Sequence, residues 1–176
     1  AMVKRVVILG AGVVGAAIAY ELSQLDQFKI TVLDTAQPAR GSTGAALGML
    51  MGIISRKTKG RAWTLRRRSM ERFPRLLEEL AAAGQPVPHN SHGILKLLRE
   101  PEELEKGDRL RELRQASGWQ LAIWDQEIIQ QHCPHLQAKE AAGGIFSPQD
   151  FQVQPVPFTK ALLAVAQQNG AHCYFG

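Results

Sequence analysis

Gly10, Gly12 and Gly15 stand in a G-x-G-x-x-G spacing directly after the apolar run Val6-Val7-Ile8-Leu9. Asp34 closes a second apolar run, Ile30-Thr31-Val32-Leu33, nineteen residues after Gly15. Residues of these types at this spacing can hold a phosphate ester. Gly10 lets a strand turn sharply, Gly12 presents no Cβ to a diphosphate, and Gly15 lets the following helix lie close to the strand. The N-terminus of that helix, starting at Val13 and Val14, then offers N–H groups and partial positive charge to phosphate oxygens. A carboxylate about 20 residues further on, ending the next strand, is placed for ribose hydroxyls. A glycine turn alone is only a tight loop. In register with strand, helix and acid it specifies a dinucleotide-binding βαβ unit.

Three elements must position these residues. Val3 to Leu9 reads as a strand, and residues 13–25 as a helix with Val14, Ile18, Leu22 and Leu25 on one face. Lys29 to Leu33 reads as a second strand. An NAD-type unit would usually continue directly into another strand and crossover helix. Here Thr35 to Gly52 is instead rich in Gly, Ala, Ser and Thr, with Pro38 and Arg40 near its start. Small residues and hydroxyls let a backbone run close beside a long ligand and hydrogen-bond to it, which points to an extended cofactor.

The run from Asp34 through Thr35, Arg40, Gly41-Ser42-Thr43-Gly44 and Leu47-Gly48-Met49-Leu50 resembles the segment after the acidic residue in the D-amino-acid oxidase-like FAD-dependent oxidoreductases, particularly their glycine oxidase branch associated with thiamine synthesis. The resemblance continues through His92-Gly93-Ile94-Leu95-Lys96-Leu97 and through Gly143-Gly144-Ile145-Phe146 to Gln154-Pro155, nearly the whole chain. It implies an α/β fold: a Rossmann-like FAD-binding βαβ domain with an interleaved, incomplete α+β substrate domain. It also implies FAD as cofactor, with Gly10, Gly12, Val13, Val14 and Gly15 at the pyrophosphate turn and Asp34 at the adenosine ribose. Thr35, Ser42, Thr43, Leu47, Gly48 and Met49 would follow along the FAD, the Gly48-Met49 end nearest the flavin ring. The family more often has Glu after the second strand; Asp34 is one methylene shorter and serves if the backbone stands slightly closer.

Composition bounds the rest. The 176 residues are the length of one domain, or of one domain and part of another, and 45% hydrophobic residues suffice for a core. No apolar run approaches the ~18 residues of a membrane span, and Lys4-Arg5 before Val6-Val7-Ile8-Leu9 is too short for a signal sequence, so a cytoplasmic location is expected. Ala1 ahead of Met2 reads as a tag remnant. Cys133 and Cys173 stand far apart and read as buried free thiols. Nine of the 21 Lys and Arg fall within residues 56–75 against one acid, Glu71, a source of the net charge of +5. A nucleic-acid or anionic-lipid patch is one reading. The solvated face of a helix is favoured, because Trp63, Met70, Phe73, Leu77 and Leu80 recur at helical spacing and no aromatics alternate with the bases. Pro74 lies inside this pattern and predicts a kink or restart near Phe73. His132-Cys133-Pro134-His135 and His89-Asn90-Ser91-His92 lack the spacing of a zinc site, so no metal is expected. No Ser stands in a nucleophile elbow. Trp63, Trp119 and Trp124 read as packing residues.

Beyond Gln85-Pro86-Val87-Pro88 a smaller unit is expected. It comprises a strand over 92–98, a charged helix over 101–117, a strand over 119–124, a short helix over 125–132, and strands at 142–146 and 151–153. A helix over 155–169, with Phe158, Leu162, Val165 and Ala166 on one face and Gly170 ending it, precedes a last strand over 171–175. By analogy this divides the chain into an FAD-binding first part over 1–84, part of a substrate domain over 85–154, and a return to the FAD-binding domain over 155–176. The family's substrate-binding arginine and flavin-facing aromatic have no counterpart here, so no catalytic residue is assigned. The resemblance implies the N-terminal portion of an oxidase that deaminates glycine or a small amine, giving an imine that hydrolyses and hydrogen peroxide. A complementing C-terminal half or a homo-oligomer is expected as partner, with no nucleic acid and no membrane. A D-amino-acid or sarcosine-type flavin dehydrogenase and a non-catalytic dinucleotide-binding fragment are the alternatives.

Overall fold

The computed structural model describes residues 2–137 and 140–176. Its elements run β1 (Lys4–Leu9), α1 (Val13–Ser23), β2 (Phe28–Asp34), α2 (Ser42–Ala45), β3 (Met49–Leu50), α3 (Gly60–Ala82), β4 (His89–Asn90), β5 (Ile94–Leu98), α4 (Pro101–Gln115), β6 (Ala122–Trp124), α5 (Gln126–His132), β7 (Gly143–Ser147), β8 (Phe151–Val153), α6 (Pro155–Gln168) and β9 (His172–Phe175). This is a mixed α/β chain. It divides into two compact units, one made of the segments up to Gly48, Phe73–His89 and Val153–Gly176, the other of Met49–Arg72 and Asn90–Gln152.

The first unit is built on a parallel sheet of order β1-β2-β9. β1 pairs with β2 from Lys4↔Phe28 to Leu9↔Leu33, and β2 pairs with β9 from Thr31↔His172 to Asp34↔Phe175. All three strands therefore finish at one end of the sheet, beside Gly10, Asp34 and Gly176. Helices α1 and α6 pack against one another. Phe158, Ala161, Leu162, Val165 and Ala166 form the buried face of α6, which stops where Gly170 turns left-handed at φ +93°.

In α1 the buried residues are Ala16, Ala19 and Tyr20, whereas Val14 and Ile18 are 70% and 45% exposed. Val14 and Ile18 thus face outward, and Ala16, Ala19 and Tyr20 face the core. Close approach explains the choice: a Cβ on Gly15 would fall on the Gly10 carbonyl oxygen.

The second unit holds an antiparallel sheet of order β5-β7-β6, in register from Ile94↔Ser147 to Leu98↔Gly143 and from Ala122↔Phe146 to Trp124↔Gly144. Gly107 lets α4 lie on it, since a Cβ there would crowd Ile145 and Ile123. Asp125 caps α5 by accepting the Ile128 N–H at 2.8 Å. Trp124 stacks on Phe146 with centroids 4.3 Å apart and on His132 at 4.8 Å. Also in this unit, β3 pairs antiparallel with β8 through Met49↔Gln152 and Leu50↔Phe151.

Several expectations are corrected. Helix α3 continues through Pro74 without a restart near Phe73; one missing N–H removes one bond from a helix of 23 residues. That helix ends at Ala82, and the chain turns left-handed at Gly84, φ +78°, where the Gln85 N–H reaches the Leu80 carbonyl, ahead of the prolines. Both thiols are free, but they are half-buried and not buried. Among the described residues no helix is long and apolar enough to cross a membrane.

Leu162 has no solvent exposure. Leu162→Ala should lower unfolding free energy by about 2–5 kcal/mol, read from denaturant titration, because it leaves a cavity in the core of the first unit.

Candidate functional site

The glycine turn is fixed from three sides. The Gly10 N–H donates to the Leu33 carbonyl at 2.8 Å, tying the turn to β2. The Ala11 N–H donates to Asp34 Oδ2 at 2.6 Å, and the Val13 N–H donates to Thr43 Oγ1 at 3.0 Å. Gly10 holds φ +107°, which a side-chain-bearing residue would adopt only under strain, and a Cβ on Gly12 would stand 3.1 Å from Thr43 Oγ1. The residues Thr35 to Gly41 fold back on the turn. Ala39 donates its N–H to the Ala11 carbonyl at 3.1 Å from a left-handed conformation, φ +64°.

Asp34 is the hinge of this arrangement. Its second oxygen accepts the Ala36 N–H at 2.9 Å, and the Ala11 and Ala36 N–H groups together hold its carboxyl below the usual carboxylate range. It lines two hollows. One, of about 440 Å³, lies at the strand ends between Leu9, Gly10, Leu33, Thr35, Tyr174 and Phe175. The other, of about 340 Å³, is lined by Gly12, Ala36, Gln37, Ala39, Arg40, Gly41, Ser42 and Thr43. The first is largely apolar with two aromatic rings. The second offers hydroxyls, a guanidinium and backbone, beside a helix whose N-cap is Gly12 and whose first turn carries no acid. A helix start left uncapped by any side chain of its own favours an anion.

The structure therefore brings Gly10, Gly12, Asp34, Thr35, Ser42 and Thr43 around two adjoining hollows. Val13 opens α1, and Gly15 lies on its close-packed side. Val14 is exposed. Leu47 and Met49, 75% and 44% exposed, line neither hollow. Gly48 has a packing reason to be glycine: at φ +70° a Cβ would fall on the Val153 carbonyl, whose own N–H donates to Gly48 O at 3.0 Å. Sequence reasoning missed Tyr174 and Phe175, whose pattern signals a strand and nothing more; parallel pairing with β2 sets them beside Asp34. It also gave no role to Arg40, Ala36 or Ala39. Among the described residues no three His, Cys, Asp or Glu side chains converge as metal ligands.

The family profile of FAD dependent oxidoreductases matches residues 5–176. The chain belongs to the FAD-dependent oxidoreductase family. Bifunctional protein ThiO/ThiG of Trichormus variabilis is 33% identical over 171 residues, 96% of this chain and 25% of that protein. Human mitochondrial dimethylglycine dehydrogenase is 27% identical over 172 residues, 94% of this chain and 18% of that protein. The crystal structure of glycine oxidase from Geobacillus kaustophilus superimposes with a TM-score of 0.86 at 28% identity, covering 97% of this chain and 46% of that one. This flavoprotein chain spans less than half the length of each. Its family cofactor is FAD, and the lining of the two hollows fits a dinucleotide by chemistry: a carboxylate between them, hydroxyls, a guanidinium and the start of α1 on one side, aromatic rings on the other.

Because the folded carboxyl of Asp34 titrates below its unfolded range, it stabilises the fold at neutral pH, and that contribution disappears as pH falls through the folded value. The stability gap between wild type and Asp34→Asn, measured by urea titration, should therefore narrow below about pH 4. A gap that stays constant down to acid unfolding would show that the two N–H contacts are energetically idle.

Proposed function

We propose that this chain is the cofactor-holding part of an amine or amino-acid oxidoreductase of the glycine oxidase kind. The observation that carries the reading is Asp34, shared by two hollows at the ends of three parallel strands. The ribose hydroxyls of FAD would donate to the Asp34 carboxylate, which Ala11 and Ala36 hold in its ionised form. The diphosphate would lie at Gly10, Gly12, Val13, Val14 and Gly15, where a glycine turn meets the start of α1. Thr35, the Ser42 and Thr43 hydroxyls and the Arg40 guanidinium would line its path, and Leu47, Gly48 and Met49 would follow toward the flavin. The chemistry FAD supplies there is acceptance of two electrons from the C–H bond beside an amine nitrogen. What this chain's own residues do is bind and orient, using backbone that cannot move without breaking the contacts above.

Glycine or a small amine as substrate, with peroxide as product, is supported by the likeness to a glycine oxidase; the likeness to a dimethylglycine dehydrogenase supports a dehydrogenase as second reading. Domain assignment follows the same reading, with residues 1–84 and 155–176 serving the cofactor and residues 85–154 the substrate side. Further polypeptide, a complementing segment or a second copy, would complete the enzyme. Val7, Leu9, Leu33 and Tyr174 share one face of the parallel sheet and are 36–81% exposed, which supports such a cover, since parallel sheets are usually packed on both faces.

The test is retention of flavin. Incubated with FAD and desalted, the chain should keep the visible flavin bands, and Asp34→Ala should bind about ten- to a hundredfold more weakly, the loss of charge-assisted contacts to the ribose. A chain that cannot be loaded contradicts the proposal. With the complementing polypeptide supplied, peroxide released from glycine supports the oxidase, and turnover only with an added electron carrier supports the dehydrogenase.

A further inference from the structure

The second unit keeps its charges apart. Residues 56–68 carry seven Lys and Arg and no acid, and residues 100–105 carry four Glu and no base. Lys57, Lys59, Arg61, Arg66 and Arg68 are exposed, and their side chains enter no ion pair among the described residues. Glu100, Glu102 and Glu105 are likewise exposed and without an ion pair among those residues. The two runs meet at one point, where Arg56 Nη2 donates to Glu103 Oε1 at 2.9 Å. The Arg99 N–H, 3.1 Å from Glu103 Oε2, and that guanidinium hold the Glu103 carboxyl below the usual carboxylate range.

The basic run stands on anchored backbone. Gly52, Ile53 and Ile54 are buried yet belong to no helix or strand, and buried backbone must find partners. The Asp150 carboxylate, with no solvent exposure, accepts the N–H groups of Gly52 and Ile53 on Oδ1 at 2.8 and 2.9 Å and that of Ile54 on Oδ2 at 2.7 Å. The buried Arg114 of α4 donates from Nε to the Ile53 carbonyl at 2.9 Å and from Nη2 to the carbonyls of Ser55 and Lys57 at 2.8 and 2.9 Å. Its guanidinium also lies 3.6 Å from the centre of the Trp63 ring, which ties the start of α3 to α4. The path of the chain is therefore set before α3 begins, and cations carried on a fixed path lose less freedom on docking than cations on a loose loop.

Within the chain the basic run works against its own helix. Cations at a helix N-terminus oppose the dipole, and the first turn of α3 holds no acid. Acidic side chains brought to that end from outside would offset the cost. Leu65 in the basic run and Leu113 on α4 are also 60% and 55% exposed, close in sequence to the Trp63–Arg114 contact, and apolar side chains among charges are the make-up of a docking patch. A polyanion would meet Glu100, Glu102 and Glu105 beside the cations, whereas a surface with both signs would meet its complement. Adjoining patches of opposite charge are complementary to themselves after a half-turn about their seam, since the basic side of one copy then faces the acidic side of the other, twice. We propose that the basic run over 56–68 and the acidic start of α4 form a docking surface for a second copy of this chain, related by a two-fold axis at the Arg56–Glu103 seam. This surface uses none of the sheet residues of the first unit and does not depend on the cofactor.

The experiment is sedimentation of the intact chain over a concentration series, at about 50 and about 500 mM salt, so that charge contacts are screened weakly and then strongly. Wild type is compared with a basic-side variant, Lys57→Glu with Arg61→Glu, and an acidic-side variant, Glu102→Lys with Glu105→Lys. Wild type should self-associate in low salt and come apart in high salt. Each variant alone should lose that salt-sensitive step, weakened about a hundredfold because like charges then face each other. An equimolar mixture of the two should regain it as a dimer of one copy of each, a result that misfolded variants could not give. Where charge reversal disturbs folding by circular dichroism, Lys57→Gln with Arg61→Gln serves instead and should weaken association about tenfold. Wild type that stays monomeric, association indifferent to salt, folded variants that associate like wild type, and a mixture of folded variants that stays apart each overturn the proposal. A monomeric wild type that binds an RNA oligonucleotide or anionic vesicles through these cations overturns it too and gives the basic run to that partner. Retention of FAD is measured separately, so failure of this surface and failure of the cofactor reading are distinguishable.

Discussion

The short contact between the Ala11 N–H and the Asp34 carboxylate, 2.6 Å, joins the two features that otherwise only neighbour each other in the sheet. A carboxylate at a strand end would ordinarily swing in solvent. Here it is seated by the turn between the strand and α1, and its other oxygen is seated by Ala36. The consequence is a charge of fixed position between two hollows of different character. It also sets the spacing of the turn: Ala11 can reach Asp34 only if Gly10 bends the backbone left-handed, and α1 can start where it does only if Gly15 leaves the Gly10 carbonyl clear.

The two units solve the problem of buried backbone differently. In the first, backbone partners hold the turn at Gly10 and Ala39, and side chains contribute at Asp34 and Thr43. In the second, the stretch after β3 is satisfied by Asp150 and Arg114, two charges that must be present together because either alone would be an uncompensated buried ion. A hydrogen-bonded carboxylate and a guanidinium fork impose geometry that apolar side chains of the same volume would not.

The βαβ unit was legible because its signals are local. Gly10, Gly12, Gly15 and Asp34 lie within a single strand-helix-strand span, and each residue type follows from one steric or electrostatic demand. The face of α1 was not legible: periodicity singles out Val14, Ile18 and Leu22, while the core takes Ala16, Ala19 and Tyr20, because the close approach of the helix at Gly15 sets its rotation and alanines carry no apolar signal strong enough to show it. Tyr174 and Phe175 escaped notice as site residues for another reason. Their place beside Asp34 depends on which strand β9 pairs with, a contact some 140 residues apart in the chain that no local pattern encodes. Asp150 and Arg114 were invisible altogether, since a lone acid before a strand and a lone base on a charged helix look like surface residues. Pro74 and Gly84 show the same limit in small. A proline need not end a long helix held by its neighbours, and a glycine able to turn left-handed did end it.

The most direct measurement is amide hydrogen exchange of the chain with and without FAD. If the dinucleotide occupies the hollows that Asp34 joins, exchange should slow across Gly10 to Gly15 and Thr35 to Thr43, with β5 and β7 in the second unit unchanged. FAD that binds while leaving both segments as they were, or that protects only the second unit, would contradict the placement of the cofactor and the role given to Asp34.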